Sequence, residues 1–277
     1  MAIPGTLSLV LPAHNEVLNL EAVVRRALEV LPELTENFEI IVVDDGSRDG
    51  TAELADRLAA ESPRVRVVHH PVNRGYGAAL TSGFQAATGD YIMFMDADQQ
   101  FDPADLAHLA PFVPQADIVA GYRIERRDPW IRLVYARIFN LCMRLLFGLN
   151  VRDIDCAFKI YRADLLKAIE ITTAGALINT ELLVKARRAG ATIVEVGVRH
   201  FPRPTGESSG GSPRVILRAM RETIWLWWHM LGYRPPAVPT RGQPIPARLF
   251  LVRALALAAI GIGALAATTA WVLRRRG

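Results

Sequence analysis

Residues 95–103 read MDADQQFDP, and two carboxylates, Asp96 and Asp98, stand one residue apart at the end of the apolar run Tyr91–Met95. On a strand, residues i and i+2 point the same way, so both acids project from the carboxyl end of a sheet. Without a partner they repel. A hard divalent cation, Mg2+ or Mn2+, resolves that repulsion, because it is held by one or two carboxylates while substrate phosphates and waters complete its shell. The pair therefore predicts a metal and a phosphorylated substrate, and Gln100 is placed to add an amide oxygen as a third protein ligand. Asp102 before Pro103 has a plainer reading, a helix N-cap with proline at the first helical position.

Three further polar motifs carry candidate chemistry: PAHNE at 12–16, DDGSRDG at 44–50 and NRGYG at 73–77. The second loosely follows the spacing of a calcium-binding loop. Its flank rejects that reading, since Glu39–Val43 is a strand pattern and not an amphipathic helix. Asp44 or Asp45 is better suited to accept hydrogen bonds from a base or ribose, and Asp49-Gly50 reads as a turn. NRGYG offers backbone amides and Arg74, but Leu80 stands where a dinucleotide fingerprint needs its last glycine. Cys142 and Cys156 have neither metal-ligand spacing nor a second pair, so no zinc site or disulfide framework is indicated.

The elements that position these motifs alternate. Strand patterns at Leu7–Leu11, Glu39–Val43, Val65–His69, Tyr91–Met95 and Asp117–Gly121 are separated by helix patterns at Val17–Leu31, Thr51–Ala60, Gly77–Ala87 and Pro103–Leu109. This predicts an α/β fold with a mostly parallel central sheet, whose ligands bind beyond the carboxyl strand ends. All four polar motifs fall there. Farther on, the patterns predict a long helix over Pro129–Gly148, further sheet over Asp153–Arg162 and Thr192–Val198, and a helix over Asn179–Ala189. A Gly/Ser/Pro-rich loop, His200–Pro213, precedes a helix over Arg214–Leu231, whose arginines and tryptophans (Trp225, Trp227, Trp228) suit an interfacial position.

Of 277 residues 51% are apolar, enough for a substantial core, and the net charge of +4 comes mainly from arginines in the second half. That suits an anionic partner or membrane lipid better than nucleic acid. The amino terminus lacks a signal-peptide pattern, which predicts a catalytic domain on the cytoplasmic side of the cell membrane. Ala254–Leu273 is an uncharged stretch of 20 residues, long enough at ~1.5 Å per residue to cross a hydrocarbon core of ~30 Å. Arginines flank it on both sides, so its orientation is not set by them. Its small residues Gly261, Gly263 and Ala264 would allow a homo-oligomer. The expected organisation is a catalytic domain over 1–212, an interfacial helix over 213–232, a linker over 233–248 and a transmembrane helix with a basic tail over 249–277.

LPAHNE, VDDGSRDGT, NRGYGAAL, DADQQ, DIDCAFKIYR and HFPRPTGES, in that order, resemble glycosyltransferase family 2. The similarity is to the branch that moves a sugar from a nucleotide donor to a polyprenyl phosphate, as in dolichyl-phosphate mannose or polyprenyl-phosphate glucose synthases. It covers residues 5–212, departing at Gln99 for the usual leucine and Ala157 for the usual glycine. The resemblance implies a GT-A fold, with Pro12, Ala13, Asn15, Glu16, Asp44, Asp45, Arg74, Gly75, Asp96 and Ala97 around the nucleotide sugar, and Asp96, Asp98 and Gln100 on the metal. The family inverts the anomeric centre.

A diphosphate leaving group needs its developing charge absorbed, and the acceptor phosphate must be gripped. Arg123 and Arg203 are the nominees, with Arg127 and Lys159 beside them at the acceptor, because guanidinium pairs with phosphate through two hydrogen bonds. An anionic acceptor makes less demand on a general base. Asp155 is the first candidate for one and Glu181 the second. UDP and GDP donors both stay open. A glycan or lipid hydroxyl is the alternative acceptor, and would make a catalytic carboxylate essential; a non-catalytic nucleotide-binding module is the reading from another class.

Overall fold

Strands β1 (Thr6–Ala13), β2 (Asn37–Asp44), β3 (Val65–His69) and β4 (Tyr91–Met95) form where the apolar runs predict them. They are joined by helices α1 (Leu20–Leu34), α2 (Thr51–Glu61) and α3 (Tyr76–Ala86). The computed structural model describes residues 2–124, 130–175, 177–205 and 213–253. These four strands lie in the order β3-β2-β1-β4 and are mutually parallel. Helices cover both faces of such a sheet, which is why β1 and β2 read as mostly apolar runs, broken inside the sheet only by Ser8 and Glu39, and not as alternation. Leu9, Val10, Leu11, Ile40, Ile41 and Val42 have at most 1% of their surface exposed.

Past β4, the Asp102 side chain accepts from Ala104 N at 3.0 Å and starts a 3-10 turn, Pro103–Asp105, that runs into α4 (Leu106–Leu109). Then come β5 (Ile118–Ile124), α5 (Trp130–Phe147), β6 (Phe158–Arg162), α6 (Ala163–Ala168), α7 (Ile178–Arg188), β7 (Ile193–Arg199) and α8 (Pro213–Gly232). Strand β6 inserts between β4 and β5, antiparallel to both, and β7 pairs parallel with β5. The result is a seven-stranded sheet, β3-β2-β1-β4-β6-β5-β7, with one reversed strand. It is mostly parallel, as the alternation predicts.

Three features differ from the sequence expectation. The strand expected over Asp153–Arg162 begins only at Phe158, because the preceding residues turn back to place Asp153 on Arg123. Helix α6 has no counterpart in the expected elements. The Pro-rich stretch after α8, expected as a linker, is strapped to the domain. Arg188 donates to the carbonyls of Met230 (2.8 Å) and Tyr233 (2.9 Å), Thr240 Oγ1 donates to Ala189 O (2.9 Å), and Gly242 N donates to Gly190 O (2.9 Å). Gly190, at φ +94°, has no room for a Cβ there, since Thr240 and Gly242 would lie within 3 Å of it.

The second half also leaves apolar side chains in water. Along α5, Val134, Ile138, Leu141 and Leu145 are exposed at helical spacing, and on α8 Ile224, Trp225 and Trp228 face outward while Leu226 and Met230 turn inward. Among the described residues no helix is long and apolar enough to cross a membrane. The expected span Ala254–Leu273, Arg127, and residues 206–212 of the Gly/Ser/Pro-rich stretch lie outside the described residues.

Candidate active site

In an open parallel sheet the crevice lies where strand order reverses. Here the chain leaves β1 toward β2 and β3 and returns to β4 on the other side, so that point is β1/β4. Pro12 and Ala13 end β1, in register with Val43 and Asp44 at the end of β2. Asp96, Ala97 and Asp98 follow directly on β4, and Ala97 is buried.

Asp98 is 7% exposed. Burial, then the charge of Asp98, pushes Asp96 up to about 7, and burial also raises Asp98. Arg203 beside Asp98 and the charge of Arg123 on Asp96 offset this only in part. The contacts the pair does have come from three directions. Tyr76 Oη donates to Asp96 Oδ1 at 2.9 Å, Gln100 N donates to Asp98 Oδ1 at 3.1 Å, and Arg203 Nη1 approaches Asp98 Oδ2 at 3.4 Å. Arg203 Nη2 also donates to Glu16 Oε1 at 2.6 Å, and Nε to Thr205 O at 2.7 Å. One guanidinium thus joins the loop after β1 to the loop after β4. The Gln100 amide nitrogen donates to Phe201 O at 3.2 Å, and Phe201 N donates to Gln100 O at 2.9 Å, which docks the Arg203 loop against DADQQ.

A cleft opens beside this cluster, over the ends of β1 and β2, lined by His14, Asn15, Gly46, Ser47, Arg48, Pro71, Val72 and Asn73. Its rim is built from hydrogen bonds among the motifs. Asn15, at φ 57°, accepts from Arg48 N at 2.9 Å, and its own N–H donates to Ser47 Oγ at 3.0 Å. Asp44 accepts from Ser47 N at 3.1 Å and faces His69 Nδ1 at 3.3 Å. Asp45, expected to face the nucleotide, spends its oxygens inside the fold. It accepts from Arg74 N and Gly75 N, both at 2.8 Å, and pairs with buried His70 Nδ1 at 2.6 Å. Its place is therefore under the 73–75 loop.

Arg123 is held by Asp153 through Nε at 2.6 Å and Nη2 at 2.7 Å, and its positive charge lowers Asp96. Asp155, exposed in the same turn, acts electrostatically on Tyr76, Arg123 and Lys159. Arg123 therefore lies near Asp96, and Asp155 lies near the Tyr76 that touches Asp96.

Two nominated residues do not reach the site. Lys159 is 0% exposed, and its ammonium donates to the carbonyls of Ile154 (2.9 Å) and Cys156. It fixes the turn before β6 and has no surface to offer an acceptor phosphate; burial lowers its pKa. Glu181 is also 0% exposed. It accepts from the backbone and hydroxyl of both Thr172 and Thr173 and pairs with Lys185 at 2.5 Å. Burial opposes its charge, yet these donors hold its pKa below the ordinary range, which unsuits it to be a base. Lys185, four residues on, was the sequence signal of that pairing. Tyr76 and His70 were missed, because their partners are distant in sequence.

Among the described residues no group of three His, Cys, Asp or Glu side chains is arranged to hold a metal ion. Two acids one residue apart, both raised in pKa by burial and Asp96 also by the charge of Asp98, nonetheless suit a cation whose remaining ligands come from phosphate and water.

The fold has solved counterparts. Glucosyl-3-phosphoglycerate synthase from Mycobacterium tuberculosis, in a complex with Mn2+, UDP and phosphoglyceric acid, superposes with a TM-score of 0.66 at 21% identity, covering 86% of this chain and 81% of that one. The shared architecture is a GT-A-like α/β fold. Residues 8–170, more than half of the chain, match the model described as glycosyl transferase family 2. The chain is 34% identical over 215 residues to undecaprenyl-phosphate mannosyltransferase of Micrococcus luteus, covering 73% of this chain and 87% of that protein. It belongs to glycosyl transferase family 2. It is also 33% identical over 262 residues to Glycosyltransferase AglD of Haloferax volcanii, and 32% over 213 residues to undecaprenyl-phosphate 4-deoxy-4-formamido-L-arabinose transferase of Aeromonas hydrophila. It spans 41% and 64% of those two relatives' lengths.

Proposed function

We propose that this chain transfers a hexose from a UDP- or GDP-linked donor to a polyprenyl phosphate, with inversion and with dependence on Mg2+ or Mn2+, at the cytoplasmic face of a membrane. The observation that carries the reading is the pair of half-buried Asp96 and buried Asp98, raised in pKa, with Asp98 on the Arg203 that also bridges to Glu16. Two relatives named for undecaprenyl phosphate support the acceptor. The neighbour bound to UDP and Mn2+ supports a nucleotide and a cation.

In this reading the cleft beside Asn15, Ser47 and Asp44 holds the nucleoside. Asp96 and Asp98, with Gln100 beside them, would hold the cation, which would supply Lewis-acid stabilisation of the diphosphate leaving group. Arg203 leaves its internal carboxylates to meet the diphosphate or the acceptor phosphate. Arg123, locked by Asp153, contributes a fixed positive charge beside Asp96. An oxygen of the acceptor phosphate attacks the anomeric carbon as the bond to the nucleoside diphosphate breaks. With Glu181 saturated, Asp155 is the nominated base that stays at the site, and an anionic acceptor needs little from it. The exposed apolar stripe of α5 and the tryptophans of α8 supply the surface that meets lipid. The organisation as a domain over 1–212, interfacial helix, linker and C-terminal span is part of the same proposal, as is association through the span.

The test is mass spectrometry of lipid products from the detergent-purified chain, given polyprenyl phosphate, Mg2+ or Mn2+, and distinguishable UDP- and GDP-sugars, beside Asp98→Ala. A metal-dependent lipid phosphosugar absent from the variant is the expected result, and its mass names the sugar. A nucleotide sugar that binds and yields no lipid product sinks the acceptor and points to a hydroxyl.

A further inference from the structure

Tyr76 lies between the nucleotide and cation halves of the site. It is the first residue of α3, and the backbone before it is clamped on two sides. On one side Asp45 receives Arg74 N and Gly75 N, each at 2.8 Å. On the other, Gly77 N donates to Ala174 O at 2.9 Å. The contact is close enough to require both glycines: a Cβ on Gly75, at φ +98°, would stand 2.8 Å from Ala174 O, and one on Gly77 would stand 2.6 Å from Thr173 O. Thr173 is in turn held by Glu181. A tyrosine on a backbone fixed from both sides has its hydroxyl aimed, and it is aimed at Asp96 Oδ1, 2.9 Å away.

We propose that Tyr76 is a positioning residue: its hydroxyl fixes the rotation of Asp96 by engaging Oδ1, leaving Oδ2 to the cation, and links cation affinity to nucleotide binding through the loop that Asp45 holds. This rests on the reading of Asp96 and Asp98 as cation ligands. Groups that orient metal ligands change metal affinity by about 10–100-fold when removed. Linkage also requires that nucleotide and cation each raise the other's affinity by one common factor, and removing the linking hydroxyl should shrink that factor.

The experiment measures Mn2+ binding to the full chain in detergent by electron paramagnetic resonance, with and without UDP or GDP, for wild type, Tyr76→Phe and Asp98→Ala. Thermal melting and metal-free nucleotide affinity serve as controls for folding. Tyr76→Phe retains the ring, so the expected result is a melting curve and metal-free nucleotide affinity near wild type, a Mn2+ affinity ~10–100-fold weaker, and a smaller enhancement by nucleotide. Mn2+ binding lost in Asp98→Ala but unchanged in Tyr76→Phe overturns the role of Tyr76 and leaves the metal site standing. A wild type that binds no Mn2+ even with nucleotide overturns both. If Tyr76→Phe melts far below wild type, its hydroxyl is a folding contact, and the positioning role is overturned.

Discussion

Two acidic centres, each built on a buried carboxylate, Glu181 in one and Asp98 in the other, have opposite settings. Glu181 is surrounded by donors, two threonine hydroxyls, two backbone N–H groups and the Lys185 ammonium, and its pKa is lowered. Asp96 and Asp98 have raised pKa values, Asp96 through burial and the charge of Asp98, and Asp98 shares its one arginine, Arg203, with Glu16. Burial alone therefore does not distinguish a functional acid from a structural one. What distinguishes them is whether the protein itself completes the charge balance. The saturated carboxylate holds loops in place, and the one left wanting is where the proposed cation would bring the missing positive charge.

The strongest break in this comparison is Asp98→Asn. If Asp98 holds the proposed cation, the variant removes a ligand to a group that would supply several kcal/mol of transition-state stabilisation, so turnover should fall by roughly 10³-fold. Because Asp98 is raised in pKa, its charge costs stability at neutral pH, and the same variant should melt higher than wild type in EDTA. A lower melting point would mean the pair is not frustrated. The mirror experiment is Glu181→Gln, which breaks a saturated ion pair and should lower unfolding free energy by about 3 kcal/mol, while turnover per folded molecule stays within roughly tenfold of wild type.

Acid sharpens the contrast. The folded pKa of Glu181 is depressed, so its contribution is present above the unfolded value of ~4.3 and is lost as pH falls through the folded value. Denaturation curves of wild type and Glu181→Gln should therefore converge at low pH. Arg203→Lys should cost about tenfold in turnover, since a point charge replaces a fork that spans two carboxylates. The smallest effect is expected for Thr172→Val, about 1 kcal/mol of stability with activity kept, because Glu181 retains its other donors.

The sequence made the first half legible because each apolar run there ends directly in a polar motif. β1 to β4, their helices and the Asp96–Asp98 pair are local statements about spacing, and Glu16 follows from the loop after β1. The second half depends on contacts far apart in sequence. That β6 runs backward, that Asp153 takes Arg123 at a separation of 30 residues, and that Lys159 caps a turn from inside are not written in any short window. Lys159 and Glu181 looked catalytic for a physical reason: charged residues in a family-like motif read alike until their partners are placed. Asp45 shows the same limit within the first half, since its three donors come from residues 70, 74 and 75.

The strap after α8 has a mechanical consequence. By composition, the proline-rich stretch from Tyr233 to Pro246 would be a leash, free to swivel. Pinned at Ala189, Gly190 and Arg188, and by Arg241 N on Asp117 at 3.0 Å, it is instead a bracket. Phe250 then seats against Phe147 and under Arg188. A force applied at Phe250 is therefore carried through Arg188 and Asp117 to α7 and the start of β5, so the segment that follows α8 moves with the sheet and not independently of it.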